Sequence, residues 1–164
     1  MSKQSPRQRL ISILQAAYSG ELAAAHAYRG HWKSLSDPVE QERIRLIEDE
    51  EWVHRERVGF ILRELQSGPA RLREVRMLMI GRTIGFLCHI IGWFLPMYFA
   101  GRLESRNVSE YESAALYARK LGMTEFATEL STMATVEKEH EVFFMNTVAR
   151  HRLLPFMRKV FGWG

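Results

Sequence analysis

The sequence has very little cysteine, since Cys88 is the only one among 164 residues. An internal disulfide and a zinc site built from several thiolates are therefore excluded within one chain. Any metal site must use carboxylate oxygens and imidazole nitrogens. Residues 1–10 also lack an apolar stretch long enough for the core of a signal peptide, so we expect a protein of the cytosol or of an organelle interior.

The sequence also lacks an uninterrupted apolar run that would cross a membrane. Its most apolar segment, residues 83–100, contains His89 and Pro96, and we interpret it as buried or interfacial. The chain is basic, with 23 Lys+Arg against 19 Asp+Glu, which suits nucleic acid or an anionic membrane and selects neither. Its 46% hydrophobic content is enough for the core of one domain spanning residues 1–164.

Alternation with a period of two is almost absent, whereas apolar residues recur at spacings of three and four, which indicates helices. Turn signals separate four long helices, and they lie at Ser5-Pro6, at residues 34–38, at residues 67–69 and at Leu121-Gly122. A less regular apolar crossover, residues 70–96, joins the second helix to the third. We therefore expect an all-α, ferritin-like four-helix bundle with one long crossover and a basic amphipathic tail at residues 151–164.

Each long helix carries a seam of apolar residues, and a glutamate interrupts every seam at a similar distance from the turn, roughly 18–24 Å at 1.5 Å per residue. In the second and fourth helices a histidine follows this glutamate by three positions and shares its face. Four carboxylates and two imidazoles are thus directed at one level of the core. They are Glu21, Glu51, His54, Glu104, Glu137 and His140.

These six side chains predict a site for two metal ions. Burying carboxylates without a countercharge costs several kcal/mol each, and no seam position offers Lys or Arg. Two glutamates plus two Glu-x-x-His pairs are the ligands of di-iron and di-manganese carboxylate sites. We predict two iron ions, with manganese as the alternative. The competing interpretation treats the six as polar residues at bundle ends and as satisfied core histidines.

Several further polar side chains lie near the proposed ligands in the sequence. Tyr28 and Tyr111 each follow a seam glutamate by seven residues, and either hydrogen-bond the ligands or line an access path, or simply pack in the core. His31 is interpreted as a polar residue near a bundle end. The run Glu48, Asp49 and Glu50 is interpreted as a solvated face, with Glu48 as the alternative partner of a metal-bound histidine.

The motifs that carry these residues resemble the demethoxyubiquinone hydroxylase family over about residues 10–150. They are Gly20-Glu21-x-x-Ala24-x-x-x-Tyr28-x-Gly30, Glu51-x-x-His54, Leu103-Glu104-Ser105 and Glu137-x-x-His140. The resemblance implies that Glu51 and Glu137 bridge the irons and that the other four ligands are terminal. It also implies a monooxygenase that uses dioxygen to hydroxylate a membrane-borne quinone ring, as in ubiquinone biosynthesis; the electron donor stays unassigned.

Basic residues flank the crossover and recur in the tail among large apolar ones, which favours peripheral binding to the cytoplasmic face of the cell membrane. An oligomer contact or a solvated basic end is the alternative for these segments. Competing functions are a rubrerythrin-like oxidase or peroxidase, a ferritin-type ferroxidase, a tRNA-modifying di-iron hydroxylase and a non-enzymatic helical membrane adaptor. Among partners, nucleic acid is the least favoured.

Overall fold

The computed structural model describes residues 5–164, and across that range the chain forms six α-helices and no strand, so the expected all-α bundle is confirmed. Residues 1–4, part of the segment considered for a signal peptide, lie outside the described range. The helices are α1 Pro6–Ser34, α2 Pro38–Glu64, α3 Arg71–Cys88, α4 Phe94–Lys120, α5 Thr124–Val148 and α6 Leu154–Phe161.

The predicted helix starts at Ser5 and Asp37 are present, because both side chains cap free backbone N–H groups. Ser5 forms a reciprocal capping box with Gln8, and Pro6 occupies the first turn of α1. The Asp37 carboxylate accepts hydrogen bonds from the backbone nitrogens of Val39 and Glu40, at 2.8 and 3.0 Å. These local contacts fix the turn between α1 and α2.

The crossover is more regular than expected, because most of it is helix α3. This helix packs along α1, where Gly81 faces Ala23 and Gly85 faces Gly30. A Cβ on Gly81 would lie 2.4 Å from the Ala23 carbonyl oxygen, so glycine permits the two backbones to approach. Only Gly81, Gly85 and Cys88 of α3 are buried, which leaves most of its apolar residues on the surface.

Contacts between helices give their relative directions. Tyr28 of α1 contacts Glu104 of α4, whereas Tyr111, later in α4, contacts Glu21, earlier in α1, so α1 and α4 are antiparallel. The short turn after α1 makes α2 antiparallel to α1 as well. Helices α2 and α4 therefore run in the same direction, and α3, which packs along α1, carries the chain back from the end of α2 toward the start of α4.

Two hydrophobic clusters form the core, one on each side of the level marked by Glu21. Leu14 and Ala17, which precede Glu21 on α1, belong to one cluster, and Ala24 and Tyr28, which follow it, belong to the other. The polar level between the two clusters is therefore enclosed by apolar packing at both ends.

The tail at residues 151–164 contains the short helix α6 and packs on the bundle with part of its apolar face. Leu154 and Trp163, expected on an interfacial face, are buried against the bundle. The Trp163 indole donates a hydrogen bond to Glu141 at 2.9 Å, and the Tyr98 hydroxyl donates to the Trp163 carbonyl at 2.7 Å. Phe156 and Val160 remain exposed, so only part of the tail faces solvent.

Candidate metal centre

The structure brings all six predicted ligands together in the middle of the bundle. Four helices supply these ligands. Helices α1 and α4 supply one glutamate each, and α2 and α5 each supply a glutamate and a histidine one turn apart. All six are buried, and the most exposed, His54, has only 5% of its surface accessible. Such burial of carboxylates requires compensation nearby.

The six residues form two overlapping groups, each with ligand atoms within 4.8 Å of one another. Both groups contain Glu51 and Glu137. The first group also contains Glu21 and His54. The second group also contains Glu104 and His140. The arrangement can therefore hold two cations that share two carboxylates.

Unpaired polar atoms at the centre fit bound cations. Within the described residues, several buried ligand atoms have no hydrogen-bond partner, namely Glu21 Oε2, both Glu51 oxygens, His54 Nδ1, Glu137 Oε1 and His140 Nδ1. Both histidines therefore direct Nδ1 at carboxylates: His54 Nδ1 lies 2.8 Å from Glu137 Oε1, without hydrogen-bond geometry, and His140 Nδ1 lies 3.6 Å from Glu137 Oε2. A metal ion would coordinate the oxygen and nitrogen atoms that the protein leaves without a hydrogen-bond partner.

The electrostatics of the centre show strong competition for protons. Burial raises the pKa of the Glu21, Glu51 and Glu104 carboxyls. Burial alone would also raise the pKa of Glu137, but the imidazoles of His140 and His54 outweigh it and lower this pKa. These three carboxyls therefore hold protons more tightly than carboxyls in water, so a bound cation competes with protons for them.

The two tyrosines hydrogen-bond ligand carboxylates, which decides between the two interpretations of their role. The Tyr28 hydroxyl donates to Glu104 and the Tyr111 hydroxyl donates to Glu21. Burial and the neighbouring carboxylates raise the pKa of both phenols well above the usual value, so both stay protonated. Each phenol therefore fixes the orientation of a carboxylate on the opposite helix.

Two supporting residues were missed in the sequence. Glu50, expected on a solvated face, lies with Oε2 2.7 Å from His140 Nε2. This contact leaves His140 Nδ1 free to face the centre. Asn107 donates to Glu104 at 2.9 Å and lies 3.5 Å from Glu137. Its place in the α4 seam was a signal that could have identified it.

The interpretation of Glu48 was wrong, and His31 is more enclosed than its position near a helix end indicates. Glu48 is buried and accepts hydrogen bonds from Arg29 Nε at 2.7 Å and Trp32 Nε1 at 2.8 Å, so it is neither a solvated residue nor a partner of a ligand histidine. His31 lies in the last turn of α1, near a bundle end as expected, and its side chain is buried. Both residues lie where α1 packs against neighbouring helices, a contact that periodicity alone does not identify.

A cavity of about 350 Å³ opens between α1, α3 and α4 beside the centre. Its lining is mostly apolar and includes Ile84 and Leu87 of α3 and Phe99 of α4. Tyr28 also lines it, and the Tyr28 hydroxyl contacts the ligand Glu104. The volume is in the range of small-molecule sites.

No protein-family model matches the sequence, and neither a curated protein nor a solved structure shows significant similarity to it.

Proposed function

We propose that this protein is a ferritin-like, di-iron hydroxylase that uses dioxygen to oxidise a quinone-type ring drawn from a membrane. One observation carries the proposal: two groups of buried ligands share Glu51 and Glu137 in the core of a helical bundle. That is the ligand set expected of a two-metal carboxylate centre.

The chemistry of the donors favours iron over a structural zinc ion. Four carboxylates and two neutral imidazoles are hard or intermediate ligands, and the described residues place no cysteine at the centre. Six ligand residues divided between two cations also leave coordination positions open, unlike a closed structural zinc site. Two bound irons would supply the dioxygen-activating redox chemistry.

The helix directions support the ferritin-like assignment. Helices α2 and α4 run in the same direction and are joined by the long return through α3. The pairs α1–α2 and α4–α5 then form two similar halves, each with a single glutamate on its first helix and Glu-x-x-His on its second. These features support the proposed ferritin-like bundle with one crossover.

The proposed reaction converts a ring C–H bond to C–OH. One dioxygen, two electrons and two protons are consumed, one oxygen atom enters the ring, and the other leaves as water. The two electrons come from an external reductant. In this reaction Tyr28 and Tyr111 hold ligand carboxylates in place, Glu50 orients His140, and the apolar cavity excludes water from the ring.

The surface of α3 supports peripheral association with a membrane. Leu72, Val75 and Met79 are exposed on this helix, with Arg71 and Arg76 among them. Within residues 5–164 no helix combines the length and apolarity needed to cross a bilayer. Helix α3 would therefore lie on the membrane surface, beside the opening of the cavity that it lines.

Metal analysis and product analysis together test this function. We expect about two irons per chain in protein purified without oxygen. Incubation with lipid extract, reductant and dioxygen should give a quinone product heavier by one oxygen atom in mass spectrometry. One zinc and no iron after reconstitution would refute the di-iron centre. Iron storage in a large cage without oxidation of lipid would instead indicate a ferritin-type ferroxidase.

A further inference from the structure

His31 is a buried polar residue that the proposed metal centre does not use. Its side chain lines the 350 Å³ cavity, and only 2% of its surface is exposed. The ring stacks against Tyr28 and Phe144, with centroid separations of 6.5 and 6.4 Å. Despite this enclosure, the Nε2 atom has no hydrogen-bond partner among the described residues.

An unpaired imidazole nitrogen in this position is unfavourable for folding. Leucine would fill similar space without leaving a buried polar atom unpaired. Burial also lowers the pKa of His31 to about 4, so the ring is neutral near pH 7. A neutral imidazole offers one N–H donor and one lone pair, which suit a hydroxyl or a carbonyl rather than a charged group.

The other polar side chains of the cavity are differently engaged. The Tyr28 hydroxyl donates to Glu104, and Arg102 Nε donates to the Phe161 carbonyl at 3.0 Å. Arg106 carries a full charge and suits an anion. Among these side chains, His31 is therefore the neutral one with an unpaired nitrogen.

We propose that His31 hydrogen-bonds a hydroxyl or carbonyl oxygen of an apolar ligand bound in this cavity. His31 thereby selects an oxygenated ring over a hydrocarbon of the same shape. The role of that ligand as a substrate rests on the proposed function, whereas its binding requires neither iron nor turnover.

Three probes that differ in one oxygen-bearing group test this contact. They are butylbenzene, 4-butylphenol, which offers a hydroxyl, and butyl phenyl ketone, which offers a carbonyl. In an apolar cavity without a partner, an oxygenated probe loses its hydrogen bonds to water, so butylbenzene should bind more tightly. With His31 present, we expect at least one oxygenated probe to bind more tightly than butylbenzene, and the preferred probe identifies the oxygen.

Isothermal titration calorimetry on the full-length protein, as purified with its metal, measures the three affinities. In His31→Leu the preference should fall about tenfold or reverse, whereas His31→Gln, which keeps a donor and an acceptor, should retain it. A preference that persists in His31→Leu would overturn the proposal, as would the failure of all three probes to bind the unmodified protein. Thermal unfolding of each variant shows that the bundle is intact.

Ala27→Phe and Leu103→Trp are controls that obstruct the cavity from α1 and from α4. Either should weaken all three probes without favouring one. Unchanged binding in both variants would mean that the probes bind elsewhere, for example on the surface of α3, and the assignment of His31 would be wrong. Iron content measured on the same samples tests the di-iron centre separately from the His31 contact. If the protein holds no iron, the proposed function fails, but the preference for an oxygenated probe should remain.

Discussion

Glu51 and Glu137 occupy a special position among the six ligand residues, because each belongs to both halves of the candidate centre. Removing one of them would disturb both cation positions, whereas removing Glu21 would disturb one. Neither is needed for packing of the apolar clusters, which lie on either side of this level. Their loss should therefore affect metal binding and chemistry more than the fold.

We predict that Glu51→Ala and Glu137→Ala each abolish ring oxidation and leave a folded bundle. In metal-free protein Glu51→Ala removes a carboxyl whose pKa is raised by burial and by the neighbouring carboxylates, so its thermal stability should be unchanged or higher. Glu137→Ala removes the carboxylate that faces both imidazoles, so this variant should be less stable than Glu51→Ala. Iron content, product formation and thermal unfolding measure this. Glu139→Ala is the matched control, since Glu139 is exposed on the same helix as Glu137. Near-normal turnover in both ligand variants would show that the shared carboxylates are not essential.

Glu50 contributes through His140 rather than through direct contact with the centre. The 2.7 Å contact between Glu50 and His140 Nε2 holds the ring with Nδ1 inward. We predict that Glu50→Ala weakens iron affinity by about 10–100-fold while the ligand set remains complete. Titration of metal-free protein with ferrous iron gives the affinity. Asp49→Ala, an adjacent exposed carboxylate on α2, should bind iron like the unmodified protein, and an equal loss in both variants would indicate a general charge effect.

The convergence of the ligands could be predicted from sequence because helical periodicity decides which face a residue occupies. Glu51 and His54 share a face by their spacing alone. The contact between Glu50 and His140 could not be predicted, since it depends on the rotation of two helices whose residues are 90 positions apart. The burial of His31 has the same origin, because it depends on how α1 meets its neighbours.

At the scale of helices, the starts of α1 and α2 could be predicted from the sequence, because a helix cap depends on residues close to it in the chain. Ser5 and Asp37 cap their helices through neighbours two or three positions away. Helix α3 was harder to identify because its apolar residues do not follow one buried seam: most remain exposed. Its docking on α1 depends on the close approach at Gly81 and Gly85, for which glycine spacing is a weak signal.

The glycines of α3 give a prediction about this docking. In Gly81→Ala the new Cβ would lie 2.4 Å from the Ala23 carbonyl oxygen, so α3 must move away from α1. We expect destabilisation of about 1–3 kcal/mol, the usual range for overpacking. Chemical denaturation measures it. Gly20→Ala is the control, because no atom lies within 4 Å of its Cβ and alanine favours helix, so it should be neutral or stabilising.

At the scale of the whole molecule, the apolar exposed surface of α3 and the cavity opening lie on the same side of α1. Ile84 lines the cavity and is itself 45% exposed, so surface and cavity are continuous. Removing the tail after Arg150 is a poor test of membrane binding, because Leu154 and Trp163 belong to the core. Single substitutions on α3 leave that packing intact.

We predict that the protein binds anionic liposomes reversibly and that Leu72→Glu or Val75→Glu weakens binding about tenfold. Leu72 is 90% exposed and Val75 is 64% exposed, so either change alters the surface rather than the fold. Each substitution removes an apolar contact with the bilayer and adds a charge repelled by anionic lipid. Nearby arginines should contribute about 1 kcal/mol each, so high salt should also reduce binding. Liposome flotation at low and high salt measures both effects.

Val39→Glu, 76% exposed on α2, is the matched control and should float like the unmodified protein. If neither the unmodified protein nor the control floats with anionic liposomes at any salt concentration, the substrate must reach the cavity from solution, and the soluble oxidase would then be favoured.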